Sequence, residues 1–114
     1  MTNFQEHVVN VPLNIGDTSV TVQSNLPQGN FIAVAAFFDD TRFPGIVRAS
    51  IKDFSGFEQS KMQDIRNLRD REAGYIVGKK PLYLTGGQLI SITVQSDDAI
   101  TTASSIDFIF VPAN

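Results

Sequence analysis

The residue types that most often carry catalysis are scarce in this 114-residue chain. His7 is the only histidine, and cysteine is absent. A Ser-His-Asp triad would have to use His7, which lies near the N-terminus without a sequence neighbour that suggests a catalytic partner. The lack of cysteine excludes thiolate nucleophiles, disulfide frameworks and cysteine-ligated zinc or iron–sulfur sites. We therefore predict that the protein is not an enzyme and holds no cofactor.

Two pairs of adjacent aspartates are the only candidates for a metal site. Asp39-Asp40 and Asp97-Asp98 each follow a predicted strand, and if their loops meet they offer carboxylate oxygens to calcium. The same carboxylates are the residue type of a glycosidase pair. However, their spacing matches no EF-hand loop, and adjacent aspartates usually mark solvated turns. We predict no metal site, and we keep a carbohydrate-binding module, with or without calcium, as the alternative function.

The charges are distributed unevenly along the chain, although the net charge is only −3. All nine basic residues lie between Arg42 and Lys80, where they outnumber the acidic ones, and both flanks are acidic. The densest basic cluster contains Arg66, Arg69 and Arg71, but interleaved acidic residues favour ion pairs within the chain or between subunits over phosphate and nucleic-acid binding. We expect either a solvated charged face or a docking surface for the acidic flank of a neighbouring molecule.

Three of the nine phenylalanines fall outside the core pattern. Phe43, Phe54 and Phe57 lie in or beside loops that border the basic segment, where aromatic side chains can anchor an interface. Together with the three arginines of the basic cluster, they are our candidate partner-contact residues, with core packing as the alternative for each phenylalanine. Tryptophan is absent, which removes the usual aromatic platform of a sugar-binding module.

A β fold must position these residues, and its centre is predicted at Phe31 to Phe38, the longest unbroken apolar run. Successive strand residues point to opposite faces, so both faces of this strand are apolar. One face should pack on the core. The other should meet a covering segment or a neighbouring subunit.

Short alternating segments on both sides of this run predict further strands. With the central strand, the predicted strands cover residues 9–15, 19–23, 31–38, 47–52, 75–77, 82–84, 88–95 and 106–111. Pro12 marks the first as an edge strand, and the turn residues Gly16-Asp17 and Thr85-Gly86-Gly87 predict two hairpins. The two-residue period is lost near residues 54–73, where Ser60 and Gln63 have the spacing of a capping box. We predict one short helix or a long charged loop there, with a short strand as the alternative.

Seven or eight short strands without a βαβ rhythm predict an all-β fold, an antiparallel β-sandwich. Eight strands suit a jelly roll, formed as a single domain over residues 1–114. The sequence shows neither a signal peptide nor a run of roughly 20 apolar residues that would span a bilayer. These features predict a protein that folds in a cytoplasm.

The stretch from Pro81 to Val94 combines a proline, an apolar triplet, a glycine turn and an alternating strand. It resembles a hairpin pattern common in small bacteriophage virion proteins. The resemblance implies a jelly-roll capsid, decoration or spike component that binds other copies and other virion proteins without catalysis. Our leading hypothesis is therefore a structural protein of a virion, a homo-oligomer that binds neither nucleic acid nor membrane.

Overall fold

The structure is a computed structural model that describes residues 6–70 and 79–113. These residues form eight strands and two short 3-10 helices. The elements are β1 (His7–Leu13), β2 (Ser19–Asn25), β3 (Asn30–Phe37), η1 (Asp40–Arg42), β4 (Val47–Lys52), β5 (Glu58–Asp64), η2 (Ile65–Leu68), β6 (Lys80–Thr85), β7 (Leu89–Ser96) and β8 (Ser104–Pro112). The predicted strand at 75–77 lies outside the described residues.

The eight strands form two antiparallel four-stranded sheets with the orders β1-β8-β3-β6 and β2-β7-β4-β5. Consecutive strands alternate between the two sheets, except that β4 and β5 are neighbours in one sheet. This connectivity is that of an eight-stranded jelly roll. The predicted all-β antiparallel sandwich is confirmed, and β1, which contains Pro12, is an edge strand as expected.

Both predicted hairpins are wrong, because β1 and β2 lie in different sheets, as do β6 and β7. The glycine turn after β6 bonds to the β2–β3 turn, with the backbone nitrogen of Gly86 donating to the carbonyl of Gly29 at 2.6 Å. In the same way, the backbone nitrogen of Gly16 donates to the carbonyl of Ile100 at 2.7 Å. Turn composition therefore located the corners of the sandwich but not the sheets that the corners connect.

The predicted central strand is confirmed, since β3 lies between β8 and β6. The register shifts between Phe31 and Ala33 in both ladders of β3, which indicates a β-bulge. Because the bulge adds one residue, Phe31 joins Val34 in the core, although strict alternation places the two on opposite faces. Ala33 and Ala35 are buried but face outward, away from the core cluster.

The described part of the 54–73 segment contains a strand rather than an α-helix. β5 pairs with β4, and Ser60, which we expected to cap a helix, lies opposite Ile51 and is buried. Only the turn η2 is helical, and it inserts Ile65 and Leu68 into the core. As an edge strand, β5 buries few side chains, so it has no apolar alternation by which sequence could identify it.

The outer faces of the two sheets differ in polarity. On the β2-β7-β4-β5 sheet, hydroxyl and amide side chains form cross-strand ladders, with the Thr21 and Thr93 hydroxyl oxygens 3.1 Å apart. The centre of the other outer face is apolar, because Ile109 of β8 lies between Val8 of β1 and Ala35 of β3. Val8 is 53% exposed. The second apolar face of β3, predicted from sequence, is therefore present, with Ala33 and Ala35 buried and Phe37 at its end 43% exposed.

Candidate protein-contact site

A tight turn over residues 53–57 connects β4 and β5, the one pair of consecutive described strands that lie side by side. The backbone nitrogen of Asp53 donates to the carbonyl of Phe57 at 3.0 Å, and that of Gly56 donates to the carbonyl of Asp53 at 3.1 Å. Gly56 has φ 86°, a left-handed conformation that favours glycine. The backbone of the turn is thus closed by its own hydrogen bonds.

The carboxylate of Asp53 fixes the same turn from inside. Its Oδ1 accepts hydrogen bonds from the backbone nitrogens of Ser55 at 2.9 Å and Phe57 at 3.1 Å. Its Oδ2 accepts from the side-chain amide of Gln59 at 2.8 Å. One side chain therefore bonds to three donors, which makes this short connection rigid.

This turn, which we call the phenylalanine tip (residues 53–57), holds two aromatic side chains in solvent. Phe54 is 68% exposed and Phe57 is 71% exposed. Lys52 and Glu58, which lie opposite each other in the β4–β5 ladder, flank the tip and are exposed. Exposed aromatic side chains on a rigid support are typical of protein–protein contact surfaces.

The opposite end of the sandwich, which we call the charged end, consists of the connections β1–β2, β3–β4 and β7–β8 and the described residues of the β5–β6 connection, 65–70 and 79. Oδ2 of Asp40 lies 3.0 Å from Nη2 of Arg69 and 3.8 Å from Nε of Arg66. The Arg69 guanidinium also lies 5.1 Å from the ring centroid of Phe38, a cation–π contact. That ring stacks on Phe43 with 5.6 Å between centroids. Both arginines thus pair with an acidic residue of their own chain.

Asp39, beside this cluster, caps the 3-10 helix η1. Its Oδ1 accepts hydrogen bonds from the hydroxyl of Thr41 at 2.6 Å and from the backbone nitrogen of Thr41 at 3.1 Å. These bonds, assisted by the charge of Arg42, lower the pKa of Asp39 from its ordinary value of 3.8. The charged form of the carboxylate is therefore favoured, and it caps η1 by its bond to the backbone nitrogen of Thr41.

The two aspartate pairs lie at the same end of the sandwich, as the calcium hypothesis requires. The backbone nitrogen of Asp97 donates to the carbonyl of Ile46 at 3.0 Å, which joins their two connections. However, the carboxylate of Asp97 forms an ion pair with Arg48, so three of the four carboxylates contact arginines. In the described part of the chain, no group of three or more acidic or histidine side chains could hold a metal ion.

Two concave surfaces lie at the charged end. The larger is an open groove of about 460 Å³, whose lining residues are Asp39, Arg42, Ala103, Ser104 and Ser105. Nη1 of Arg42 donates to the carbonyl of Ala103 at 3.2 Å, and the buried hydroxyl of Ser104 has no hydrogen-bond partner among the described residues.

The smaller surface, which we call the aromatic cavity, has a volume of about 210 Å³ and lies where β3 ends. Its lining residues are Ala36, Phe37, Phe38, Arg69 and Asp70. Phe37 is 43% exposed. Oδ2 of Asp70 lies 3.1 Å from Nζ of Lys79, which is buried. The cavity thus combines two phenyl rings with one charge of each sign.

The structure separates the three candidate phenylalanines. Phe54 and Phe57 lie together on the phenylalanine tip with most of their surface in solvent. Phe43 instead packs against the core and stacks on Phe38 at the charged end. Phe43 is therefore a packed residue, as the core-packing alternative predicts, and we do not retain Phe43 as a contact residue.

Arg66 and Arg69, two of the three candidate arginines, lie at the other end of the molecule from the tip. Arg66 and Arg69 share Asp40 as an ion-pair partner, and Arg71 lies outside the described residues. Sequence reasoning missed Asp53, although aspartate at the first position and glycine at the fourth are a type I turn signature. It also missed the aromatic cavity, which long-range packing of η2 against β3 creates and no local pattern reveals.

Neither protein-family models nor curated proteins match this chain. In the described residues, no helix has the length and apolar character needed to cross a membrane. The function of the protein is therefore inferred from its own geometry.

Proposed function

We propose that this protein is a non-enzymatic structural protein that binds copies of itself and other proteins in a larger assembly. The observation that carries this proposal is the phenylalanine tip. Phe54 and Phe57 are exposed on a turn whose backbone is already fixed by Asp53. Burial of a phenylalanine side chain stabilises a complex by roughly 1.5–3 kcal/mol, and a rigid turn loses little conformational entropy on binding.

The outer face of the β1-β8-β3-β6 sheet supports the same proposal. Val8 and Tyr83 are exposed on this face, at 53% and 71%, and Ile109, which lies opposite Val8, is half-buried. The other outer face is covered by hydroxyl and amide groups. A molecule with one apolar and one polar outer face fits an assembly in which one face meets protein and the other meets water.

The kind of assembly that we propose is a virion. Jelly rolls are common in viral capsid domains, and residues 81–94 resemble a pattern found in small bacteriophage virion proteins. The protein would then be a capsid, decoration or spike component that folds in a host cytoplasm and binds other virion proteins. In this proposal, neither nucleic acid nor membrane is a partner.

Light scattering behind a sizing column, over a range of protein concentrations, tests the proposal. We expect the wild-type mass to rise to a discrete multiple of one chain, and the Phe54→Ser/Phe57→Ser variant to remain a monomer. Ile15→Ser is the matched control, because Ile15 is 70% exposed but lies in the β1–β2 connection. Wild-type protein that stays monomeric at every concentration, alone and with the other components of its particle, would contradict the proposal.

A carbohydrate-binding module is the second candidate, and the polar groove at the charged end favours it. The carboxylate of Asp39 and the guanidinium of Arg42 are exposed and line one concavity, and such groups can bond to sugar hydroxyls. A glycan array, run with and without calcium, tests it. Binding that Arg42→Ala abolishes would favour this function, whereas a blank array in both conditions would exclude it.

A further inference from the structure

We infer that copies of this chain bind head to tail, with the phenylalanine tip of one copy in the aromatic cavity of the next. This inference rests on the proposed function, because it names the surface that receives the tip in self-assembly. The proposed contact joins two surfaces of the described chain at which a phenyl ring is exposed beside one positive and one negative side chain. The occupant of the cavity is therefore a second copy of the chain.

The two surfaces lie at opposite ends of the sandwich. β2 and β4 run in the same direction, since both are antiparallel to β7. The tip follows β4, and β3 starts from the end of β2 through a short turn. β3 then runs back along the molecule and reaches the aromatic cavity at its far end. A tip therefore cannot enter the cavity of its own molecule.

The aromatic cavity has the size and chemistry to receive a phenyl ring. Its volume of about 210 Å³ exceeds the roughly 150 Å³ of an apolar protein cavity that binds benzene. Phe37, which is 43% exposed, offers a ring surface for stacked or edge-to-face contacts, whereas the ring of Phe38 already contacts Phe43 and Arg69. Arg69, already held over Phe38, can also bind the face of an incoming ring.

The charges around the two surfaces are complementary. The tip carries Lys52 on one side and Glu58 on the other, and the cavity carries Arg69 and Asp70. Lys52 can approach Asp70 while Glu58 approaches Arg69, so each surface meets the opposite sign. The two cavity charges are held in place by bonds within their own chain, which orients them before the partner arrives.

A contact between opposite ends leaves one free tip and one free cavity on every pair of molecules. Such heterologous contacts close into a ring if the rotation between copies allows it, and otherwise continue into a filament. This property separates the head-to-tail contact from a symmetric dimer, in which both copies use the same surface and association stops at two.

A mixing experiment tests the contact with two variants. Phe54→Ser/Phe57→Ser removes the tip and keeps the cavity. Phe37→Lys blocks the cavity and keeps the tip, and the new lysine lies opposite Asp107 in the β3–β8 ladder, which supports folding. Circular dichroism and thermal unfolding first establish that both variants fold, and Ile15→Ser is again the control.

We expect each variant alone to have the mass of one chain at concentrations where the wild type forms larger species. An equimolar mixture should have the mass of two chains and no more, because one intact tip then meets one intact cavity. Light scattering of the two variants and the mixture measures this directly.

Three other results would overturn the inference. Wild-type protein that forms no assembly by itself would remove the self-contact, and with it the homo-oligomer of the proposed function. Wild-type assembly that Phe37→Lys leaves unchanged would keep the proposed function and exclude this cavity as the receptor of the tip. Monomers in the mixture, after both variants are shown to be folded monomers, would exclude pairing of the two surfaces.

Discussion

The two ends of the sandwich differ in how their charged and aromatic side chains are accommodated. At the charged end, Asp40 pairs with Arg69, which in turn covers the ring of Phe38. At the phenylalanine tip, the polar groups of the turn are bonded internally, but Phe54 and Phe57 remain in solvent. At the charged end, the described arginines and Phe38 are in contact with other side chains of the same chain. At the phenylalanine tip, the two aromatic rings have most of their surface in solvent.

This difference shows that a charged segment is a weaker sign of a partner than two exposed rings. The basic segment and acidic flanks suggested pairing between molecules, yet four of the described ion pairs join them within one molecule. Exposed pairs of this kind contribute about 1 kcal/mol or less. The exposed rings of Phe54 and Phe57, by contrast, have most of their surface in solvent rather than packed within the chain.

The largest difference in stability between the two ends should come from replacing one glycine at each end. A Cβ at Gly86 would overlap the backbone carbonyl oxygens of Pro27 and Gly29, whereas one at Gly45 would meet only the movable carboxylate of Asp98. We expect Gly86→Ala to lower the free energy of unfolding by about 3 kcal/mol, and Gly45→Ala by much less. Urea unfolding of both variants measures the difference, and equal losses would show that the two ends are equally rigid.

The next effect concerns the side chain that fixes the tip. Asp53→Ala removes the acceptor of three hydrogen bonds, so we expect a loss of about 1 kcal/mol in the free energy of unfolding. Assembly should also weaken, because the rings lose their fixed orientation. Asp53→Asn is the control, since its amide oxygen can still accept from the backbone of Ser55 and Phe57. Stability and assembly that stay unchanged in Asp53→Ala would show that the rings need no such support.

A smaller effect is expected at the charged end. Arg69→Ala loses the ion pair with Asp40 and the contact with the Phe38 ring, and we expect a loss of about 1 kcal/mol. Arg66→Ala loses only the longer contact to the same carboxylate and should cost about 0.3 kcal/mol. Thermal unfolding at low and high salt separates the two contributions, because salt screens the ion pairs more than the ring contact. A larger loss in Arg66→Ala would contradict this order.

The smallest effect is the pH dependence contributed by Asp39. Because hydrogen bonds from Thr41 lower the pKa of this carboxyl in the fold, its contribution to stability is fully present above the ordinary value of 3.8. The contribution is lost as the pH falls through the lowered pKa. We expect the difference in unfolding free energy between wild type and Asp39→Ala to be small at pH 7 and to decrease below pH 3.8. A difference that grows as the pH falls would contradict this assignment.

The sequence predicted the parts of the fold that depend on local apolar pattern. The run from Phe31 to Phe38 is the inner strand β3, and the alternation of Ile106, Phe108 and Phe110 with outward residues became β8. The bulge before Ala33 was not predictable, because it arises from the register of both neighbouring strands. Strand β5 was predicted only as the alternative to a helix or loop, because an edge strand with mostly polar residues on both faces has no clear period to detect.

The candidate site was predictable to the extent that it depends on residue type. Phe54 and Phe57 were recognised as aromatic residues in a loop, and they are exposed as that reading expects. For Phe43 the core-packing reading is observed, but its partner could not be predicted, because nothing in the local sequence reveals the ring of Phe38 on which it stacks. Ion pairing of Arg69 with Asp40 was also hidden, since 29 positions separate the two residues.

The position of β8 has a consequence for how the protein is made. β8 lies between β1 and β3 and pairs with both, so their sheet stays split until residues 104–112 have left the ribosome. Until then, the edge of β3 that pairs with β8 lacks its neighbour, and nascent chains on one messenger can pair there instead. We therefore expect this sheet to fold only after residue 112 has left the ribosome. Chains that stop before residue 104 should be taken up by chaperones and proteases.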